Sequence, residues 1–117
     1  MRLRCLFHNG RLVEPQVLAC ETFLERARGL VLRRRLRAAA IVKIAPCAGV
    51  HTFGLSRPID VVFTDRSGAV LRCVQGLRPW RVAVCGQALS AWEMRSGLCR
   101  ELAIRPGDQL DDQAPRS

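Results

Sequence analysis

The sequence is poor in aromatic residues and in lysine. Of its 117 residues only 5% are aromatic, tyrosine is absent, and 18 of the 19 basic residues are arginine. Proteins that bind single-stranded nucleic acid stack bases on exposed aromatic side chains, and the chain carries no recognised nucleic-acid-binding motif. We therefore do not expect sequence-specific recognition of DNA or RNA.

A long apolar run is also missing. No stretch approaches the roughly 20 residues that cross a bilayer as a helix. The apolar stretch near the N-terminus is broken by His8, Asn9 and Gly10, whereas a secretory signal needs about 7–15 consecutive apolar residues. We expect a cytoplasmic protein with no transmembrane segment and no signal peptide.

None of the cysteines is spaced as a C-x-x-C pair, the arrangement typical of structural zinc sites. Most of them lie in apolar, strand-like segments, where a free cysteine behaves as a small buried residue. We therefore expect no disulfide framework, no metal and no cofactor. The six cysteines are Cys5, Cys20, Cys47, Cys73, Cys85 and Cys99.

The apolar fraction of 49% is enough for one hydrophobic core, and the length suits a single domain. We place that domain at residues 1–110 and predict that residues 111–117, DDQAPRS, form a disordered polar tail.

The first forty-odd residues alternate between strand and turn signals. Leu3–Phe7 alternates as a half-buried strand, and Asn9-Gly10 predicts a type I′ turn. Leu12 and Val13 begin a return strand that Pro15 stops or bends. A second short strand over Val17–Cys20, a helix over Phe23–Arg28 that starts at a Thr22–Glu25 capping box, and a strand over Ala40–Ile44 follow.

The second half is strand-like. Ile59–Thr64 and Ala69–Gln75 predict a β-hairpin, and Arg81–Cys85 with Ala88–Met94 predict another strand pair. Ser96 is a candidate N-cap for a helix over Leu98–Ala103, and a turn follows at 105–108. Many short strands with one or two short helices indicate a mainly β or α+β fold, either a compact sandwich or a partly closed barrel.

The formal net charge is +9, and a large share of it lies in one segment without acidic residues. Such a segment favours an acidic partner, either a protein or another polyanion, although a solvated arginine-rich face would have the same composition. The basic residues of this segment are Arg26, Arg28, Arg33, Arg34, Arg35 and Arg37.

The stretch VHTFGLSRPIDVVF, residues 50–63, places polar residues directly before a run of β-branched and aromatic residues. Convergent polar groups in an apolar β domain are typical of a ligand pocket, whereas the alternative is a turn that leads into a core strand, with Asp60 as a turn cap. The candidate ligand-binding residues are His51, Thr52, Asp60, Arg78, Trp80 and Glu93.

A small enzyme that uses Cys47 or His51 is a further hypothesis, because the two side chains could form a thiolate–imidazolium pair. In an extended chain their separation would be about 13 Å, so contact requires a turn at Ala48-Gly49.

Several short motifs in fixed order resemble one protein family. They are Arg28-Gly29-Leu30, Pro46-Cys47, Val50–Leu55, Pro58–Phe63, Asp65, Gly68, Val70, Pro79, Glu93, Gly97 and Pro106–Asp108. Over residues 17–110 the chain resembles the prokaryotic family called domain of unknown function 192, in the branch with a C-x-x-V-H-T-F-G-M motif. The sequence departs from it at Leu55 and Val31, where the family has Met, and at Met94-Arg95-Ser96, where it has L-P-A. The resemblance implies an architecture and no chemistry, so our first expectation is a non-enzymatic accessory or ligand-binding module.

Overall fold

Strands β1 to β9 and a short helix α1 make up most of the part of the chain that the computed structural model describes, which is residues 2–20 and 41–114. The predicted helix over Phe23–Arg28 and the basic segment Arg26–Arg37 lie outside those residues. The elements are β1 Arg2–His8, β2 Arg11–Cys20, β3 Ile41–Ile44, β4 Gly49–His51, β5 Ile59–Thr64, β6 Val70–Leu77, β7 Val82–Val84, β8 Ser90–Arg95, α1 Leu98–Glu101 and β9 Leu110–Gln113.

The first hairpin is the one that Asn9-Gly10 predicts. Both residues have positive φ, 51° and 82°, as a type I′ turn requires, and His8 pairs with Arg11. The two strands predicted after the turn are one strand, β2. Between the pairs Arg4–Val17 and Leu6–Val13, β2 contains two more residues than β1, so the Pro15 segment bends β2 without ending it.

Seven strands form a large sheet in the order β6-β5-β8-β3-β2-β1-β9. Its two edges meet at one end, where Ala69 pairs with Gln109 and the N–H of Leu110 donates to the carbonyl oxygen of Gly68. A Cβ on Gly68 would lie 2.5 Å from the carbonyl oxygen of Leu110, so this close approach requires glycine. The predicted partly closed barrel is confirmed.

Two apolar clusters lie on opposite faces of the large sheet. The barrel interior holds Leu6, Ile41, Val62, Trp92 and Met94 among others. The outer cluster lies under a small sheet formed by β4 and β7, and it joins Val50 and Ala83 of the small sheet to Val61, Phe63 and Ala91 of the large one. Strand β5 is therefore covered on both faces and buried along its whole length, which explains its consecutive apolar residues Val61, Val62 and Phe63.

The predicted pairing of residues 81–85 with 88–94 is wrong, although both strands exist. Strand β7 pairs with β4, and β8 lies between β5 and β3 in the large sheet. The Gly86-Gln87 segment between them is a connection from one sheet to the other, not a hairpin turn.

Two boundaries also differ from the sequence-based expectation. Helix α1 begins after Gly97, which has φ 97° and provides no side-chain cap, so Ser96 does not cap it. The strand β9 extends to Gln113 and pairs with Cys5–His8 of β1, so residues 111–113, predicted to belong to a disordered tail, belong to the sheet.

Candidate ligand-binding surface

The small sheet has one buried face and one exposed face. Val50 and Ala83 point toward the outer cluster and are buried, while their neighbours on each strand are exposed, as the alternation of a β-strand requires. Val82 and Val84 are each 59% exposed. Val82 pairs with His51, and Val84 pairs with Gly49. The exposed face is therefore apolar, with one histidine.

Thr52 follows β4 and is completely buried. Its hydroxyl donates a hydrogen bond to the carbonyl oxygen of Arg78 at 2.6 Å and accepts one from the N–H of Arg81 at 2.9 Å. Its own N–H donates to the Arg81 carbonyl, and its carbonyl accepts the N–H of Trp80. Thr52 thus fixes the 78–81 loop against the end of β4, because a buried hydroxyl must be hydrogen-bonded.

Three rings stack along the edge of this face. The centroids of His51 and Phe53 are 4.8 Å apart, and those of Phe53 and Trp80 are 5.6 Å apart, with interplanar angles of 28° and 25°. The N–H of Phe53 donates to Nδ1 of His51 at 3.3 Å, so the neutral ring carries its proton on Nε2. We call His51, Phe53, Trp80, Val82 and Val84 the ladder surface.

Trp80 is 65% exposed and has a φ of 62°. A bulky residue in the left-handed region is an outlier, and such strain clusters at functional sites. The loop therefore holds a large apolar side chain in solvent at a conformational cost, and the buried hydrogen bonds of Thr52 offset that cost.

The guanidinium groups of two arginines, Arg72 and Arg81, contact the backbone of ladder residues. Arg57, Arg78 and Arg81 are exposed, and the guanidinium of Arg72 reaches from β6 to the carbonyl oxygen of Val84 at 2.6 Å. Arg72 thereby ties the end of β7 to the large sheet, and the guanidinium of Arg81 donates to the carbonyl oxygen of Trp80 at 3.4 Å.

Asp60 lies inside the barrel wall, away from the ladder surface. It is 1% exposed, and its carboxylate accepts hydrogen bonds from the N–H groups of Gly76, Gly97 and Cys99 at 2.9–3.1 Å. It thus caps α1 from β5 and joins three elements. The turn-cap alternative predicted a local cap after Pro58, whereas these N–H donors lie 16, 37 and 39 residues further along the chain.

Glu93 is 2% exposed and pairs with Val61 across the β5–β8 ladder, whereas Asp60 pairs with Met94. Directly paired residues share a face, and successive residues alternate. Glu93 therefore lies on the face toward the small sheet, and Asp60 lies on the opposite face. Of the six predicted ligand-binding residues, the structure brings together His51, Thr52, Arg78 and Trp80, and it separates Asp60 from Glu93.

Burial makes two of the described cysteines, Cys73 and Cys99, weakly acidic. Cys47 directs its thiol hydrogen at the carbonyl oxygen of Gly49, 3.0 Å away. Burial, with a contribution from the Cys99 thiol, raises the pKa of Cys73 to about 12, and burial also raises the pKa of Cys99. Thiols held protonated at neutral pH are poor nucleophiles.

Sequence reasoning missed Phe53, Val82 and Val84 as surface residues. Phe53 lies in the stretch singled out above, but the exposure of an aromatic ring cannot be seen in a strand-like pattern. For β7 the sequence does contain an indication of the exposed residues. The pattern V-A-V alternates between large and small side chains, and a short strand that buries the small one exposes the two large ones.

Comparison with known proteins identifies the family to which this fold belongs. The family DUF192, described as Uncharacterized ACR, matches residues 5–111. The chain belongs to this family. A UPF0127 protein of Thermococcus sibiricus is 33% identical over 109 residues, covering 88% of the chain and 70% of the relative. A UPF0127 protein of Pyrococcus abyssi is 33% identical over 104 residues, covering 84% and 86%. The resemblance seen in the motifs is confirmed, and DUF192 is itself uncharacterised.

Two crystal structures share the DUF192 fold. A protein of unknown function from Novosphingobium aromaticivorans has a TM-score of 0.74 and 21% identity, covering 93% of this chain and 83% of its own. A candidate transcription regulator from Sinorhizobium meliloti has a TM-score of 0.74 and 19% identity, covering 95% and 92%. At these identities the likeness concerns the fold alone.

Proposed function

We propose that this DUF192 protein is a small non-enzymatic accessory module that binds a ligand on the ladder surface. The observation that carries the proposal is Trp80, which is held 65% exposed in a left-handed conformation by the fully buried Thr52. A fold that only needed to close the 78–81 loop would gain from glycine or asparagine at this position.

The shape of the surface suits a ligand with a flat apolar group. Phe53 lies between the other two rings, so a ligand meets the outer face of Trp80 and the edges of the ladder. Val82 and Val84 extend the apolar area. Aromatic and arginine side chains are the residues most often found at binding hot spots, and Arg78 lies beside Trp80 in the same loop.

The other predicted site residues are assigned supporting roles. Thr52 positions the loop, and Asp60 joins β5, β6 and α1 through three backbone contacts. Glu93 is buried on the face of the large sheet that carries the outer cluster. The contacts shown for Cys47 and His51, to the Gly49 carbonyl and the Phe53 N–H, are those of a structural thiol and a positioned imidazole.

We further propose a cytoplasmic location. The free thiols of Cys5, Cys73, Cys85 and Cys99 suit a reducing compartment. In the described parts of the chain no helix combines the length and apolar character needed to span a bilayer.

A second candidate function is electrostatic binding of a polyanion by the basic segment Arg26–Arg37. The observation that favours it is the concentration of six arginines in that segment without an acidic residue. Such binding weakens steeply with salt, and it does not depend on the ladder surface.

The proposal is tested with indole, a flat apolar probe without charge. We expect millimolar indole to shift the amide resonances of residues 51–53 and 80–84 in a ¹⁵N-labelled sample. The Trp80→Ala variant removes the shifts. The control is Leu12→Ala, because Leu12 is 60% exposed on β2, away from the small sheet. The Leu12→Ala variant should retain the shifts. If indole causes no shifts at residues 51–53 and 80–84, or equally strong shifts around Leu12, the proposal is contradicted.

A further inference from the structure

We infer that the ladder surface accepts an acidic segment of another protein, one in which acidic residues are interspersed with apolar ones. The inference rests on the proposed function and names the partner of the same surface. It depends on the distribution of charge around the small sheet and on the kind of apolar side chain that the sheet exposes.

The two chain segments that build this region contain no acidic residue. Residues 44–58 and 71–92 include Arg57, Arg72, Arg78 and Arg81 as well as His51, and neither Asp nor Glu. Strand β4 and the ladder residues His51 and Phe53 come from the first segment, and Trp80 with β7 comes from the second. The segments that carry the exposed apolar side chains are therefore positively charged, which favours a negatively charged partner.

The described acidic side chains with defined contacts are engaged elsewhere. Asp60 accepts backbone N–H groups inside the barrel, and Asp65 closes its own turn through Ser67 and Ala69. Glu101 pairs with Arg95, Asp108 with His8, and Asp112 with Arg4 and Lys43. Among the described residues no carboxylate forms an ion pair with Arg57, Arg78 or Arg81, and the guanidinium of Arg81 donates to the carbonyl oxygen of Trp80.

The apolar side chains favour a protein over a nucleic acid. Both faces of Phe53 are covered by neighbouring rings, so the outer face of Trp80 offers a stacking position for one base and not for successive bases. Val82 and Val84 offer aliphatic contact that sugar and phosphate groups cannot match. A flat strand of three residues, about 10 Å long, suits one extended peptide segment better than insertion into a lipid headgroup layer.

The test uses a defined acidic probe, a random copolymer of glutamate and tyrosine, with binding measured by calorimetry at low and physiological salt. Two matched double variants each lower the formal net charge of +9 by two. One is Arg78→Gln with Arg81→Gln, and the other is Arg33→Gln with Arg34→Gln. We expect the first pair to weaken binding about tenfold, as two interfacial charges would, and the second to have a much smaller effect.

Three results would overturn the inference. The Arg33/Arg34 pair could weaken binding more than the Arg78/Arg81 pair. Poly-glutamate could bind as tightly as the copolymer, and the Trp80→Ala variant could keep the full affinity for both. This result would show that binding depends on charge alone. Oligothymidylate, or vesicles of phosphatidylcholine with phosphatidylglycerol, could bind at the ladder surface more tightly than the copolymer.

The outcome is separable from that of the proposed function. Indole shifts at the ladder surface without copolymer binding there would reject the acidic partner and leave the binding surface intact. If neither indole nor the copolymer binds at the ladder surface, both the proposed function and the acidic partner are rejected. Because Arg78 and Arg81 are exposed and Thr52 contacts only their backbone, the glutamine variants are expected to retain the fold.

Discussion

The hydroxyl of Thr52 donates a hydrogen bond to the carbonyl oxygen of Arg78, 26 residues further along the chain, at 2.6 Å. The same hydroxyl oxygen accepts the N–H of Arg81. A single completely buried side chain therefore fixes the loop that carries Trp80.

Replacing Thr52 by valine keeps the volume of the side chain and removes its hydroxyl. We expect a loss of about 1–3 kcal/mol in the free energy of unfolding, because the Arg81 N–H and the Arg78 carbonyl lose a buried partner. Urea unfolding measures this loss. The control Thr52→Ser retains the hydroxyl and should preserve the iodide quenching of Trp80, whereas Thr52→Val should change it. Equal quenching in both variants would show that Thr52 does not position the loop.

Asp60 makes three hydrogen bonds that an amide cannot reproduce. In Asp60→Asn only one oxygen accepts, and the new NH₂ group faces backbone N–H donors, so we expect a loss of about 2–4 kcal/mol. The exposed Asp111→Asn on β9 should change stability by less than about 0.5 kcal/mol. A similar, small effect for both variants in chemical denaturation would contradict the joining role of Asp60.

The left-handed backbone at Trp80 predicts a difference between two truncations. Both Trp80→Gly and Trp80→Ala remove the ring, but only glycine adopts a φ of 62° without strain. We expect the glycine variant to be more stable than the alanine variant by about 1 kcal/mol, measured as the thermal midpoint and the unfolding free energy. Were alanine the more stable of the two, the argument from strain at this position would fail.

The carboxyl of Asp112 predicts a pH dependence of stability. Burial raises its pKa, but the hydrogen bonds and charges of Lys43 and Arg4 outweigh burial and hold the pKa below its usual value. A pKa that is lowered by folding stabilises the protein above the unfolded value, near 4, and that contribution is lost as the pH falls through the folded value.

Urea midpoints measured from about pH 7 to about pH 2 test this dependence. We expect Asp112→Asn to be less stable than the unmodified protein at neutral pH and the two to converge in acid. Asp111→Asn, on the same strand, is the matched control and should show no such convergence. A difference for Asp112→Asn that is constant over the whole range would contradict the ion-pair explanation.

The pKa of Cys73, about 12, predicts an unreactive thiol. At pH 8 about one molecule in ten thousand carries the thiolate, so iodoacetamide should modify Cys73 at least about a hundredfold more slowly than an ordinary accessible thiol. Peptide mass mapping over time gives the rate, with the partly exposed Cys85 of the small-sheet region as internal reference. Equal rates for Cys73 and Cys85 would contradict the burial argument.

Local patterns predicted the strands better than their partners. The β-branched run of β5 and the Asn9-Gly10 turn are encoded within a few residues, and both were predicted correctly. The pairing of β7 with β4 joins segments about thirty residues apart, and no local signal distinguishes it from pairing with the adjacent β8. Strand β9 was missed because Leu-Asp-Asp-Gln has one apolar residue, and its stability comes from the contacts of Asp112 with β1 and β3.

In the candidate site, too, local patterns indicate individual residues, whereas their grouping depends on contacts between distant segments. The 50–63 stretch indicates His51 and Thr52 as candidate site residues, and the sequence also indicates Arg78 and Trp80. The grouping of these residues depends on Thr52 bonds that cross 26–29 residues. The separation of Asp60 from Glu93 depends on the register of β5 against β8. Neither can be deduced from spacing along the chain.

The pairing of β1 with β9 has a consequence for how the protein is made. Strand β1 is synthesised about a hundred residues before its neighbour β9, since Cys5 lies opposite Gln113. Until then β1 has an unpaired edge, and the bridge between Ala69 and Gln109 that closes the barrel is unmade. Contacts between residues so far apart in sequence slow folding, so closure is a late event, and nascent chains that end before β9 expose a strand edge open to aggregation.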